Sequence, residues 1–172
     1  MKIDKTNHEL HFNHRGFEFI SNEQIEKDLN CDSNTVGKIL PKRKTRFSAG
    51  YDIFAPYDII LGAGAEMKVP TLIKAYMQPG EVLMVYPRSG LGFKYYCRLS
   101  NTVGVIDSDY YNNEGNEGHI WVKIRNESTD KIMTIKKGEA FCQAIFTPFL
   151  LADRDDFDSG DKRKGGFGST TK

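Results

Sequence analysis

The sequence contains little that would place the protein in a membrane, outside the cell or on a nucleic acid. No apolar run approaches the roughly 20 residues of a membrane span, and the first ten residues, MKIDKTNHEL, lack the apolar stretch of a signal peptide. The net charge is only +1, which argues against a surface that coats nucleic acid but does not exclude a small phosphorylated ligand. We therefore expect a protein that works in the cytoplasm, with no membrane and no nucleic-acid partner.

Cysteine is also scarce. The three cysteines, Cys31, Cys97 and Cys142, are odd in number and show no CxxC spacing. A disulfide framework or a zinc site would need paired or closely spaced cysteines. We interpret all three as reduced thiols and place Cys142 in the core.

Helical periodicity is rare in this chain. Ser21 with Gln24 resembles a capping box, and Ile25 and Leu29 share one face, so the sequence predicts a short helix over residues 22–29. We expect it to be the only good helix. Elsewhere the chain shows short β-rich runs between turn signals, at residues 16–20, 51–55, 66–69, 82–87, 119–125, 132–135 and 141–149.

This spacing of short strands is typical of an all-β jelly roll, a β-sandwich or barrel with one or few short helices. A chain of 172 residues is long enough for one core but not two. We predict a flexible leader at residues 1–14, a β core at 15–150 and a C-terminal arm at 151–172.

The arm carries an unusual string, GGFGST, at residues 165–170. Glycine loses much backbone entropy on ordering, so such an arm should need a ligand to become ordered. A ring at Phe167, two hydroxyls at Ser169 and Thr170, and the preceding cations suit closure over a ligand with a base and phosphates. The alternative is that residues 151–172 form a disordered tail. We interpret the aspartate-rich stretch at 153–161 as a solvated linker.

Three further segments suit a phosphorylated ligand. PRSGLG (residues 87–92) follows a strand and suggests a turn whose backbone N–H groups and Arg88 hold phosphate oxygens. NTVGVIDSDY (101–110) places Asp107 and Asp109 two residues apart, on opposite sides if the segment is extended, so that only one faces the pocket. SAGYDIFAP (48–56) supplies a third carboxylate, Asp52.

These segments together resemble the trimeric dUTP pyrophosphatase (dUTPase) family. Five motifs stand in the family's order, and five ordered matches are far more specific than one glycine-rich match. The motifs are SAGYDIFAP, PRSGLG, NTVGVIDSDY, GEAFCQAIF (residues 138–146) and RKGGFGST (163–170).

The resemblance implies a homotrimer with active sites between subunits that hydrolyses dUTP to dUMP and pyrophosphate with Mg²⁺. Such an enzyme keeps uracil out of DNA and supplies dUMP for thymidylate synthesis. Asp107 would be the general base, and Tyr110 would pack on the deoxyribose and leave no room for a 2′-hydroxyl. Mg²⁺ would be held mainly by substrate phosphates, with Asp52 supporting its shell through water.

The resemblance also implies three groups of binding residues. The first would hold the phosphate chain, the second would form a hairpin that pairs with uracil and is closed near Trp121, and the third would belong to the arm. The phosphate group is Arg88, Ser89, Gly90 and Gln143. The hairpin group is Asn101, Gly104, Val105 and Ile106. The arm group is Phe167, Gly168, Ser169 and Thr170, with Lys162 or Arg163 as its cation.

The chain departs from the family pattern at three places. Ala140 stands where the fourth motif usually has an arginine, Lys162 stands where the fifth usually has one, and residues 111–118 are longer than a minimal hairpin. Some of these residues could have purely structural roles. Tyr51, Ile106 and Phe146 fit the core, Asp109 fits a solvated turn, and Asp52 could cap a turn.

Two other functions remain open from the sequence. One is a dCTP deaminase, which resembles the dUTPases in fold and nucleotide pocket but needs a carboxylate poised at the base. The other is a regulatory trimer that senses nucleotide and binds another protein. If the chain is viral, its expected location is the host cytoplasm.

Overall fold

The computed structural model describes residues 14–155, and these residues form antiparallel strands with two short helices. In chain order the elements are β1 Gly16–Phe19, α1 Asn22–Leu29, β2 Tyr51–Phe54, β3 Ile59–Leu61, β4 Glu66–Pro70, β5 Ile73–Tyr76, β6 Glu81–Pro87, α2 Ser89–Tyr95, β7 Arg98–Leu99, β8 Gly104–Asp107, a 3-10 turn at Ser108–Tyr110, β9 Trp121–Arg125, β10 Met133–Ile135 and β11 Ala140–Pro148. None of the helices in this range is long and apolar enough to cross a membrane.

The largest sheet carries most of the motif residues. Its strand order is β2-β11-β6-β8, and β11 lies between β2 and β6. A smaller sheet has the order β4-β9-β7, and β1-β5 and β10-β3 form two antiparallel pairs. The predicted all-β architecture is confirmed. The strands β3, β5 and β7 were not predicted, and β8 was expected only as part of the hairpin. With three and two residues, β3 and β7 are too short to show alternation.

A single main core joins the sheets. Its fully buried side chains include Phe141 from β11, Ile53 from β2 and Leu83 from β6, and Cys142 is buried with them as predicted. Tyr51 and Phe146, interpreted as core residues, are half-buried and pack their rings against Phe17. A second, smaller cluster is formed by residues at α1 and its neighbours, Ile20, Ile25 and Leu72.

Helix α1 has the predicted bounds, but its cap differs in one half. Ser21 Oγ accepts a hydrogen bond from the backbone N–H of Gln24 at 3.0 Å, as a capping box requires. The backbone N–H of Ser21 donates to Glu117 at 3.0 Å, so a carboxylate from a distant loop takes the place predicted for Gln24. Local sequence could not reveal this partner, because it lies 96 residues away.

The prediction of a single good helix was wrong. PRSGLG opens α2, where Arg88 has extended backbone angles and Ser89 is the first helical residue. Two glycines lower the helix propensity of this segment, so sequence favours a turn. Tertiary packing overrides that preference: Tyr95 at the last position of α2 is buried in the main core, and Tyr96 ends the helix with a left-handed backbone.

Candidate active site

The predicted phosphate-binding residues converge where β2, β11 and the end of β6 meet. Arg88 Nε lies 3.1 Å from Asp52 Oδ1, and Arg88 Nη1 donates to the carbonyl of Ala140 at 3.2 Å. Both side chains of the ion pair remain partly exposed. The pair therefore holds the guanidinium in one orientation while leaving part of it able to meet an anion.

Gln143 lies beside this pair because the strand register puts it there. On β11 it stands opposite Asp52 of β2 and Tyr86 of β6, and its Nε2 donates to the carbonyl of Pro87 at 3.2 Å. A Cβ on Gly50 would come within 2.5 Å of Gln143 Oε1, so the glycine of the first motif makes room for this amide. The first, second and fourth motifs thus share one site.

A cavity of about 390 Å³ opens over these residues. Its lining includes four residues that the sequence assigned to phosphate or metal, Asp52, Arg88, Ser89 and Gln143, together with Lys44, Ser48, Ala49, Gly50 and Ile145. Gly90 has no heavy atom within 4 Å of the position where a Cβ would stand, so packing within the described residues does not require glycine there. Its predicted role, approach of a phosphate to the backbone, stays a prediction.

Lys44 is the residue that sequence reasoning missed. It lines this cavity and also a neighbouring cavity of about 430 Å³ that contains Lys42, Arg43 and Ala140. The neighbouring cations have other contacts, since Lys42 Nζ lies 5.6 Å from the centre of the Phe54 ring and Arg43 donates to two backbone carbonyls. The available signal was three consecutive cations, residues 42–44, three residues ahead of the first motif.

The predicted base lies at the other end of β6. Asp107 is the last residue of β8, is half-buried, and stands opposite Val82 in the register of β8 with β6. Arg88 follows Val82 by six positions, which at about 3.3 Å per residue separates the two sites by about 20 Å. One chain therefore does not bring the predicted base to the predicted phosphate ligands.

The predicted uracil hairpin is present as strand β8 and the turn before it. Gly104 stands opposite Val85, and a Cβ on Gly104 would lie 3.0 Å from the Val85 side chain, which is tight for any larger residue. Ile106 packs against the core, whereas Val105 and Asn101 are exposed. Within residues 14–155, β8 is an edge strand, so no further strand pairs with its outer main-chain groups.

The chain leaves the extended conformation after Asp107. Residues Ser108–Tyr110 form a 3-10 turn, so the alternation assumed for Asp107 and Asp109 stops there; Asp109 is exposed. Tyr110 is 5% exposed, and its hydroxyl donates to the carbonyl of His119 at 3.0 Å. The ring is held firmly at the end of the strand that carries the predicted base.

The sequence predicted that the strand near Trp121 closes the hairpin and that Trp121 belongs to the substrate site. Its ring lies 4.8 Å from the His119 ring, and Lys68 Nζ lies 4.3 Å from the ring centre. The hairpin meets the same strand β9 two residues later, where the N–H of Ser100 donates to the carbonyl of Lys123 at 2.8 Å. A direct contact of Trp121 with substrate stays a prediction.

The fifth motif lies outside the described residues. The predictions for Lys162, Arg163, Phe167, Gly168, Ser169 and Thr170 therefore remain as the sequence made them, as does most of the predicted leader at 1–14. The described part of the arm, residues 151–155, contains a turn and no helix or strand. Among the residues that the structure describes, no group of three or more His, Cys, Asp or Glu could hold a metal ion.

Comparison with known proteins gives consistent matches. A family model described as dUTPase matches residues 37–171. The deoxyuridine 5′-triphosphate nucleotidohydrolase of Lactococcus lactis subsp. lactis is 47% identical over 156 residues, covering 91% of this chain and 97% of that protein. A crystal structure of dUTPase from Streptococcus mutans has 44% identity and a TM-score of 0.64, covering 80% of this chain and 98% of that one.

A more distant likeness concerns the fold alone. The structure of a mutant dUTPase from phage phi11 of S. aureus, described as revealing the coordination of a structural Mg(II) ion, is 18% identical with a TM-score of 0.59. It covers 87% of this chain and 99% of the phage chain.

Proposed function

Because this chain belongs to the dUTPase family, it hydrolyses dUTP to dUMP and pyrophosphate, and we propose that it completes each active site from more than one copy of itself. The observation that carries this proposal is the separation of Asp107 from Arg88 along β6, about 20 Å at the usual rise of a strand. A base must lie within hydrogen-bond reach of the proton that it takes, directly or through one water. A homotrimer lets Asp107 of one copy face the phosphate site of another.

In this proposal Asp107 accepts a proton from the water that attacks the α-phosphorus. The new bond joins that water oxygen to the α-phosphorus, and the bond from the α-phosphorus to the bridging oxygen of the β-phosphate breaks. Pyrophosphate leaves with the electron pair of that bond, and dUMP remains. Asp107 is suited to the task because it is half-buried and lies at the end of an edge strand. The outer main-chain groups of that strand could pair with the uracil ring of the substrate.

Charged and polar side chains at the Pro87 end of β6 hold the triphosphate. Arg88, already oriented by Asp52, and Lys44 offer positive charge, and Ser89 and Gln143 offer hydrogen-bond donors. Such prearranged groups stabilise the negative charge that develops on the leaving pyrophosphate.

The residues of this cavity fit a Mg²⁺ ion that arrives with the substrate. Mg²⁺ keeps several waters and is usually bound through substrate phosphates and one or two carboxylates. Asp52 is the one carboxylate lining the cavity of about 390 Å³, and Arg88 already engages it, which favours an indirect contact through water. When bound, the ion would neutralise charge on the phosphate oxygens.

The C-terminal arm and the location complete the proposal. We place residues 162–170 over the nucleotide, where Phe167 would stack on uracil and the hydroxyls of Ser169 and Thr170 would reach the terminal phosphates. We propose that the enzyme acts in the cytoplasm, or in the host cytoplasm if the chain is viral.

The experiment is a product assay with one matched pair of variants. Wild type should convert dUTP to dUMP and pyrophosphate. Formation of dUDP with phosphate, or release of ammonia from dCTP, would contradict the assignment.

Asp107→Asn should abolish turnover while dUTP affinity stays within about tenfold, because the shape of the side chain is conserved and only the general base is lost. Asp109→Asn, two residues away and exposed, should keep turnover near wild type. If Asp107→Asn keeps more than a tenth of the wild-type rate, Asp107 is not the base.

A further inference from the structure

Residues 111–118, which we name the Tyr110 loop, fold back on the tyrosine that precedes them. Asn116 Nδ2 donates to the Tyr110 hydroxyl at 2.8 Å, and that hydroxyl donates to the carbonyl of His119 at 3.0 Å. Asn113 Nδ2 donates to the carbonyl of Tyr110 at 2.8 Å and to Asn116 Oδ1 at 2.9 Å. The loop thus binds both the ring end and the backbone of Tyr110.

The loop is itself tied to the N-terminal part of the chain. Glu117 accepts hydrogen bonds from the backbone N–H and the hydroxyl of Ser21, the N-cap of α1. Tyr111 donates its hydroxyl to Glu18 at 2.7 Å. These contacts anchor the loop near both of its ends, at Tyr111 and Glu117, so Asn116 is presented from a supported position.

Burial makes the contacts at the Tyr110 hydroxyl costly to break. Tyr110 is 5% exposed, and a buried hydroxyl that loses its partners is left without compensation from water. A ring with its hydroxyl held at two points cannot move aside to admit a larger sugar. Without Asn116 one of these two constraints is gone, and the ring can shift with a smaller penalty.

We propose that Asn116 is a positioning residue that fixes the Tyr110 ring and thereby strengthens the preference for deoxyribose over ribose. This inference rests on the proposed function and on the role that the family resemblance implies for Tyr110, packing on the sugar. It assigns a role to the Tyr110 loop: the loop supports the sugar pocket from behind and links it to α1.

The test compares kcat/KM for dUTP and UTP in variants that remove either partner of the 2.8 Å hydrogen bond. Asn116→Ala removes one of the two hydrogen bonds at the Tyr110 hydroxyl and should lower the ratio of dUTP to UTP by about two- to tenfold, the range expected for one lost hydrogen bond. Tyr110→Phe removes both and should lower the ratio at least as much. Because both changes break the same contact, the double variant should lower the ratio little further. Tyr111→Phe removes a hydrogen bond of the loop that does not involve Tyr110 or Asn116, so it should lower the ratio less than Asn116→Ala does.

The outcomes separate this inference from the proposed sugar site. If Tyr110→Ala lowers the ratio but Asn116→Ala and Tyr110→Phe only lower thermal stability, the loop has no part in selectivity and the inference is wrong. If Tyr110→Ala leaves the ratio unchanged, other residues distinguish deoxyribose from ribose, and the role of Tyr110 at the sugar is itself wrong. Should Asn116→Ala not fold, Asn116→Asp takes its place, because it removes the Nδ2 donor to Tyr110 and keeps the side-chain oxygen that accepts from Asn113 and Gly118.

Discussion

At the scale of single residues, Lys44 is a cation outside the five motifs that is well placed to meet a phosphate chain, because it lines the same two cavities as Arg88. We predict that Lys44→Ala raises KM for dUTP and weakens inhibition by pyrophosphate by about tenfold, the size of one charge-assisted hydrogen bond. Lys42→Ala is the matched control, since Lys42 lines only the neighbouring cavity. Equal effects of the two changes would mean that the cluster acts through its summed charge and that Lys44 makes no particular contact.

His119 is a second residue whose surroundings predict a measurable effect. Its side chain is fully buried, Nε2 accepts from the backbone N–H of Leu72 at 3.2 Å, and Nδ1 lies 2.6 Å from Asp28. Because Nε2 is an acceptor, the ring is neutral and Nδ1 donates. Burial lowers the pKa of His119 below its ordinary 6.5, although Asp28 and Glu117 act in the opposite direction and Lys68 adds to the lowering.

This lowered pKa predicts the sign of a pH effect on stability. Below about pH 6.5 the unfolded chain binds a proton at His119 that the folded chain does not, so the free energy of unfolding falls as the pH is lowered through that range. We predict that Tm drops more between pH 7.5 and pH 5.5 in wild type than in His119→Gln. The exposed His14 serves as control, and His14→Gln should behave like wild type. Parallel Tm curves for wild type and His119→Gln would refute the assignment.

At the scale of elements, the Tyr110 loop depends on a glycine at its end. Gly118 has φ of +83°, and a Cβ there would lie 2.6 Å from the carbonyl oxygen of Tyr110. Gly64, in the turn between β3 and β4, has φ of +74° but no heavy atom within 4 Å of a Cβ. The two glycines therefore share a backbone requirement and differ in steric room.

The pair gives an element-scale prediction. Gly64→Ala should lower the free energy of unfolding by about 1–2 kcal/mol, the cost of a left-handed backbone for an L-residue. Gly118→Ala should cost clearly more, because the loop backbone must also move. Urea unfolding at one fixed protein concentration measures both, since the proposed assembly would make stability concentration-dependent. Equal losses would show that the loop adjusts freely to a Cβ at position 118.

At the scale of the whole molecule, the distribution of the site over β6 predicts complementation between inactive chains. Asp107→Ala and Arg88→Ala should each give an inactive homotrimer. If the two residues of a site come from different copies, co-refolding at equal ratio should restore about a quarter of the sites, because each site needs two independent intact contributions. Mass analysis confirms that mixed trimers have formed. A site contained within one chain predicts no recovery, since every chain then lacks one of the two residues.

Short stretches of sequence were enough to predict the family, most of the long strands and helix α1. Helix α1 could be predicted because its N-cap serine and its apolar spacing lie within nine residues, and the motifs because each is contiguous. The assignment of Asp52, Arg88, Ser89 and Gln143 to one site also came from the motifs, and the structure places all four around one cavity.

Tertiary structure alone decided the features that join distant segments. PRSGLG becomes helical because Tyr95 is buried, Glu117 replaces Gln24 at the cap of α1, and Lys44 reaches the cavity although it belongs to no motif. The register of β8 against β6 separates Asp107 from Arg88, which motif order along the chain does not show. The physical reason is common to these cases: burial and long-range hydrogen bonds depend on which segments meet, and sequence spacing determines only contacts between near neighbours.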